Sequence, residues 1–256
     1  MSDRSALKSG SGLSDPAPGG RGTRPLFRPV VLEVNPHRVE LHTLEPHLPW
    51  VVWSAQNLPQ PVYRHGVLRL KYLLGRRGVY RGTWDLRARP FEQREEYRLV
   101  EDLYQSLPEY RRSRWYQQGL EVIGAGGVFT HKTETARDVA ELDALFEGYL
   151  VDLLETMARE GYRQRPGADL PEAMIGRDGT LIKTAHGTHR LASAKAAGAA
   201  GLFPLRVIGV HRRWLAALPD GGSEAAVAAA LSEIEARYRE EAQPVAPRRI
   251  NSAIPS

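Results

Sequence analysis

Between Thr184 and Gly198 the chain reads TAHGTHRLASAKAAG. Gly187, Thr188, His189 and Arg190 stand where a loop turns into a helix of small residues. The first amides of a helix have no internal partner, and the helix dipole adds partial positive charge to them. A glycine there lets an anion approach the backbone, and a threonine adds a hydroxyl donor. Arginine can grip a phosphate with two parallel hydrogen bonds, and His189 can add a further donor. These residues are a full set for an oxyanion cradle. They also suit an ordinary cap, with Thr188 closing the helix start and Arg190 pairing with a surface carboxylate. A third chemistry is a metal held by His186 and His189 in H-x-x-H spacing, with His211 as another ligand. No HExxH context or paired acid accompanies those histidines. The local residue types leave the three readings open.

A cradle that transferred phosphate would also need a base, and usually Mg²⁺. His186 could act as base or phosphate donor, both roles open to an imidazole. Glu172 stands at the entry to the strand that leads toward the loop. Asp85, in GTWDLR, would come from the other half of the chain. Lys183 could reach a phosphate or be a solvated strand residue. Asp178 reads as a turn residue, and Trp84 and Asp85 also fit a core tryptophan beside a capping aspartate.

The elements around the loop are well marked. EAMIGRDGTLIKTAHG predicts strand, Asp178-Gly179 turn, strand. A helix follows over Thr188–Ala197, closed by Gly198. LFPLRVIGV predicts a buried strand, then come a short helix over His211–Leu218 and an alanine-rich helix over Ser223–Glu241. Upstream, PVVLEV, VELHTL and PWVVWSA predict strands, followed by VLRLKYLLG and the turn-rich RRGVYRGTWDLRARPF. Helical spacing predicts a helix over Glu92–Leu107 and a second one ending near Gly119. GAGGVFTHKT reads as a flexible connection. The longest apolar stripe predicts a helix over Glu134–Glu160, with Thr135 as its cap and Asp138 completing an acidic capping box. Gly148 is its weak point, and Gly161 its end.

Residues 175–214, IGRDGTLIKTAHGTHRLASAKAAGAAGLFPLRVIGVHRRW, resemble the core of the ParB/sulfiredoxin superfamily. The matching pieces are Asp178-Gly179, the G-x-H-R run Gly187-Thr188-His189-Arg190, the alanine-rich helix, Gly198 and Phe203-Pro204-Leu205-Arg206-Val207. The resemblance implies an α/β (α+β) fold, a ParB/sulfiredoxin-like mixed sheet with packed helices. It implies that the G-x-H-R loop binds the phosphates of ATP or another nucleotide, with Mg²⁺ as the accompanying ion. An ATP- or ADP-dependent kinase acting on a small hydroxyl metabolite or a glycan is the reaction it suggests. Sulfiredoxins carry cysteine where Thr188 stands, so their chemistry is excluded. Related serine kinases carry an acid where His186 stands. No helix-turn-helix pattern follows the core, unlike a full partition protein. The alternative is a non-catalytic module that binds nucleotide or nucleic acid. On this reading residues 1–25 are a disordered tail and 26–164 a helix-containing α+β region. Residues 165–218 are the core, 219–242 the C-terminal helix and 243–256 a loose tail.

Composition sets the outer bounds. The chain has 256 residues, 42% of them apolar, enough for a sizeable core. It has no cysteine, which excludes disulfides, thiolate metal sites and cysteine nucleophiles, and fits a cytoplasmic protein. No apolar run is long enough for a membrane span, and the first residues lack the apolar core of a secretory signal. Net charge is +5. Between Gln60 and Trp115 there are 13 basic and 7 acidic residues. That surplus suits either a solvated arginine-rich face or a surface for phosphate-bearing partners, nucleic acid among them.

Overall fold

LFPLRVIGVH is apolar on both faces, as a central strand must be. In the computed structural model, which describes residues 27–43, 57–62, 66, 78–131, 134–164 and 169–240, it forms β9 (Phe203–His211) at the heart of a seven-stranded mixed sheet. On one edge β9 pairs antiparallel with β1 (Val30–Val34), and further along parallel with β3 (Val79–Tyr80). On the other edge it runs parallel to β7 (Glu172–Ile175). The sheet continues through β8 (Leu181–Lys183) and β2 (Leu41–His42) to β4 (Arg89–Pro90). This is an α/β fold.

The Asp178-Gly179 turn joins β7 and β8 as the sequence predicts, with Gly176 donating to Thr180 O and Gly179 donating to Gly176 O. Residues of β1, β2, β3 and β4 precede residue 165, so the sheet takes strands from both sides of that expected division. Helices α1 (Glu95–Gln105), α2 (Arg114–Gly124), α3 (Val139–Leu145), α4 (Asp152–Glu160) and α5 (Thr188–Ala196) contribute to the core with α6 (Arg212–Ala217) and α7 (Glu224–Arg239). Leu191, Ala192 and Ala194 of α5 are fully buried, and α1 and α4 pack directly against this small-residue helix. The opposite face of the sheet carries a smaller cluster around Trp84, Met174 and Ile182.

Several expectations are corrected. α1 begins at Glu95, because Phe91–Gln93 is a 3₁₀ turn that sinks Phe91 into the core. Gly119 lies inside α2, where a Cβ would come within 2.8 Å of Leu142 Cδ1, so this glycine permits close helix packing and ends nothing. GAGGVFTHKT is more than a connection: Phe129–His131 forms β5 and pairs with β6 (Glu134–Ala136). Thr135 therefore sits in a strand. Asp138 is the cap of α3, its Oδ1 accepting from Glu141 N at 2.8 Å. A carboxylate there also complements the dipole. The helix passes through a π-helical stretch at Phe146–Val151, which contains Gly148, before α4 ends at Gly161 (φ 72°). PWVVWSA, nearly all of VLRLKYLLG and both terminal tails lie outside the described residues.

Candidate functional site

The loop from Thr184 to Gly187 is laced to the start of β7. Thr184 donates to Glu172 O through both its amide (3.0 Å) and its hydroxyl (3.1 Å). Glu172 N donates to His186 O at 3.1 Å. Gly187 has φ 77°, and a Cβ there would lie 2.7 Å from Pro171 Cα. Glycine is thus needed for the left-handed turn and for the contact with Pro171. The Thr188 hydroxyl donates to Ala185 O at 2.7 Å, and α5 has no side-chain cap. The capping role expected of Thr188 is therefore absent, because its hydroxyl closes the loop instead.

The carbonyls of Thr184, Ala185 and His186 all accept hydrogen bonds within this small unit. Across a trans peptide the following amide points the opposite way, which turns the N–H groups of Ala185, His186 and Gly187 outward. Among the described residues those amides, and those of Thr188 and Arg190, make no hydrogen bond. Successive free amides at the positive end of a helix are the elements from which an anion nest can be built.

Beneath the nest lies Lys183. It is fully buried, and its Nζ donates to Thr184 O at 2.8 Å and to His186 O. This corrects the reading of a solvated strand lysine. Burial pushes its pKa down, Arg94 and Arg190 push the same way, Glu172 opposes them, and the result is about 7. Arg94, just before α1, is also buried. Its Nε and Nη2 each donate to the Glu96 carboxylate at 2.9 Å, while Nη1 is buried without a partner. His42 stands opposite Lys183 on β2, buried, with Nδ1 unpartnered. Burial, then Arg94, holds His42 below the ordinary imidazole value. Sequence reasoning missed Arg94 and His42. Their sequence signal was faint: a histidine within the apolar VELHTL and an arginine before the acidic first turn of α1.

The remaining candidates are dispersed. Arg190 donates through Nη1 to Asp169 O rather than pairing with a surface carboxylate. The His189 side chain turns away from the nest, stacking on Trp115 (5.8 Å between centroids) and meeting the His131 ring edge-on at 4.8 Å. His186 is exposed, with Nδ1 3.3 Å from Leu170 O and Nε2 3.8 Å from Asp169 Oδ2. His211 lies elsewhere, its Nε2 3.2 Å from Gly82 O. The three histidines of the metal reading do not converge. Among the described residues no group of three His, Asp or Glu side chains could hold a metal ion. Glu172 flanks the loop, but its carboxylate pairs with Arg206.

Asp85 sits at the turn end of the β7–β8 hairpin, away from the loop end where Lys183 and Glu172 lie. It accepts from Arg177 N (2.9 Å), Nε (2.7 Å) and Nη2 (2.8 Å), with His211 Nε2 3.9 Å away. Burial alone would raise its pKa, but the Arg177 hydrogen bonds outweigh that and hold the carboxyl at about 2. In this position Asp85 latches the GTWD segment onto the hairpin.

No family model, curated protein or solved structure matches the chain. Among the described residues no helix is long and apolar enough to cross a membrane.

Proposed function

We propose that the chain binds a nucleotide through its phosphate, held on the amides of Ala185, His186, Gly187, Thr188 and Arg190. One observation carries the reading: the free amides of Ala185, His186, Gly187, Thr188 and Arg190 at the start of α5 lie by the buried basic side chains Lys183 and Arg94, with the Arg190 guanidinium beside them. Positive charges crowded at the positive end of a helix repel one another, and a bound anion relieves that repulsion. The resemblance of residues 175–214 to ParB/sulfiredoxin cores supports a nucleotide as the anion's carrier.

Phosphotransfer to a hydroxyl metabolite or a glycan extends this reading and rests on His186. Glu172 and Asp85 are engaged by Arg206 and Arg177, whereas the His186 ring is exposed at the loop. In such a transfer His186 takes the hydroxyl proton as the oxygen bonds to phosphorus. The nucleoside diphosphate leaves with the electrons of the broken P–O bond. Against a nucleic-acid module, several arginines of the basic stretch are paired: Arg94 with Glu96, Arg111 with Asp143 and Arg112 with Glu109.

Calorimetry with ATP, ADP and CTP, with and without Mg²⁺, tests the proposal on the wild type and on Arg190→Ala. Binding by the wild type, weakened about tenfold in the variant, is the expected result. A wild type that binds none of them refutes it. Binding without turnover across a panel of hydroxyl compounds leaves a non-catalytic binding module.

A further inference from the structure

Lys183 is more than part of a positive field. A neutral amine has two N–H donors, and an ammonium has three. Lys183 Nζ has two acceptors, Thr184 O and His186 O, and among the described residues no carboxylate within ion-pair distance. Its side chain is fully buried, so bulk solvent supplies no third acceptor. The neutral form uses both donors. The charged form would bury an unpaired N–H and a charge together, a costly combination.

The surrounding charges point the same way. His42 faces Lys183 from β2, Arg94 and its partner Glu96 come from the α1 start, and Arg190 comes from α5. Glu172 on β7 opposes them, but its carboxylate is bound by Arg206. An anion seated on the nest would oppose these positive charges at Nζ.

We infer that above neutral pH Lys183 is uncharged in the ligand-free protein and takes up a proton when an oxyanion docks on the amides above it, an inference that rests on the anion reading of the loop. The ligand class follows from this coupling. A doubly charged oxyanion, such as a phosphate monoester or sulfate, stabilises the new ammonium more than a singly charged carboxylate does. Lys183 then also positions the loop: its two bonds hold the carbonyls inward and keep the amides facing out.

The pH window follows from a lysine lowered to about 7 in the free protein. Binding raises that value. Affinity is therefore full below about 7 and falls as pH rises, by up to about tenfold per unit, until the bound-state value is passed.

Sulfate is a suitable probe because its own charge stays constant across this range. Calorimetry in buffers of different ionisation enthalpy counts the protons taken up. About one proton per sulfate is expected near pH 8 and about none near pH 6. Lys183→Met should abolish the uptake. Sulfate binding without proton uptake near pH 8, or uptake that persists in Lys183→Met, overturns the inference and leaves the anion reading standing. Failure of both sulfate and the nucleotides to bind removes the reading and the inference with it. A second measurement needs neither ligand nor variant. The chain has five lysines, so the Lys183 side chain can be followed by NMR. A titration midpoint near 7 in the free protein supports the inference, and one above about 9 overturns it.

Discussion

Gly187→Ala tests the local geometry on which the nest depends, and Gly198→Ala is its control. Both glycines have positive φ, 77° and 62°. A left-handed alanine costs about 1 kcal/mol at either position. Replacing glycine also trims the freedom of the unfolded chain, a gain of about 0.5 kcal/mol shared by both. What differs is the space. A Cβ at Gly198 meets nothing within 4 Å, whereas one at Gly187 would lie 2.7 Å from both Cα and Cβ of Pro171. Pro171 cannot swing aside freely, since its carbonyl accepts from Arg206 N at 2.8 Å and the next amide, Glu172 N, donates to His186 O. Forced overpacking of this kind costs about 2 kcal/mol. Urea unfolding should thus place Gly187→Ala about 2 kcal/mol below Gly198→Ala, a midpoint difference of about 1 M for equal slopes. Sulfate and ATP binding should suffer in the first variant and survive in the second. Equal midpoints would show that Pro171 does not demand the glycine, and the account of the loop would fail.

Two further predictions concern the supports of the sheet. Asp85→Asn removes the charge-assisted pair with Arg177 and should cost about 2 kcal/mol near neutrality. Because the folded carboxyl is depressed to about 2, this contribution is complete above the ordinary value near 4 and disappears as pH falls toward 2; acid unfolding curves of wild type and variant should converge over that interval. Tyr238→Phe deprives Leu181 N of its hydroxyl acceptor at 2.9 Å, so stability should drop by about 1 kcal/mol and the Leu181 amide should exchange faster by NMR.

What the sequence disclosed about the fold divides along a physical line. The β7–β8 hairpin, α5, Gly198 and β9 rest on local causes: an Asp-Gly turn, a small-residue helix and a long apolar strand. Each could be read from a few neighbouring residues. The entry of β1 beside β9, and of β2 beside β8, depends on pairing between residues more than a hundred positions apart. Nothing in PVVLEV names its partner. The β5–β6 hairpin escaped because Gly126 and Gly127 looked like slack. In fact Gly127 N donates to Val122 O, so the glycines carry the chain tightly off the end of α2 and into β5.

The site shows the same division, with one exception. Lys183 was legible after all. In β8, Leu181, Ile182 and Lys183 alternate faces, so the lysine must share the face of Leu181. Leu181 is an obvious core residue, and strand parity alone sends Lys183 into that core. A buried lysine must then find acceptors at once, and the loop carbonyls beside it are the nearest. His189 and Arg190 obey the corresponding helical rule. Consecutive residues on a helix point about 100° apart, and here the two side chains go to different neighbours. His189 lines a small cavity with Ser193, four residues on, which turns it toward Trp115 and His131. Arg190 is thereby left on the side of Asp169 and the loop. The four residues of the G-x-H-R run therefore have different roles. Its glycine shapes the turn, its threonine closes the loop, its histidine packs the helix onto the core, and on the proposed reading its arginine is the side chain left for an anion.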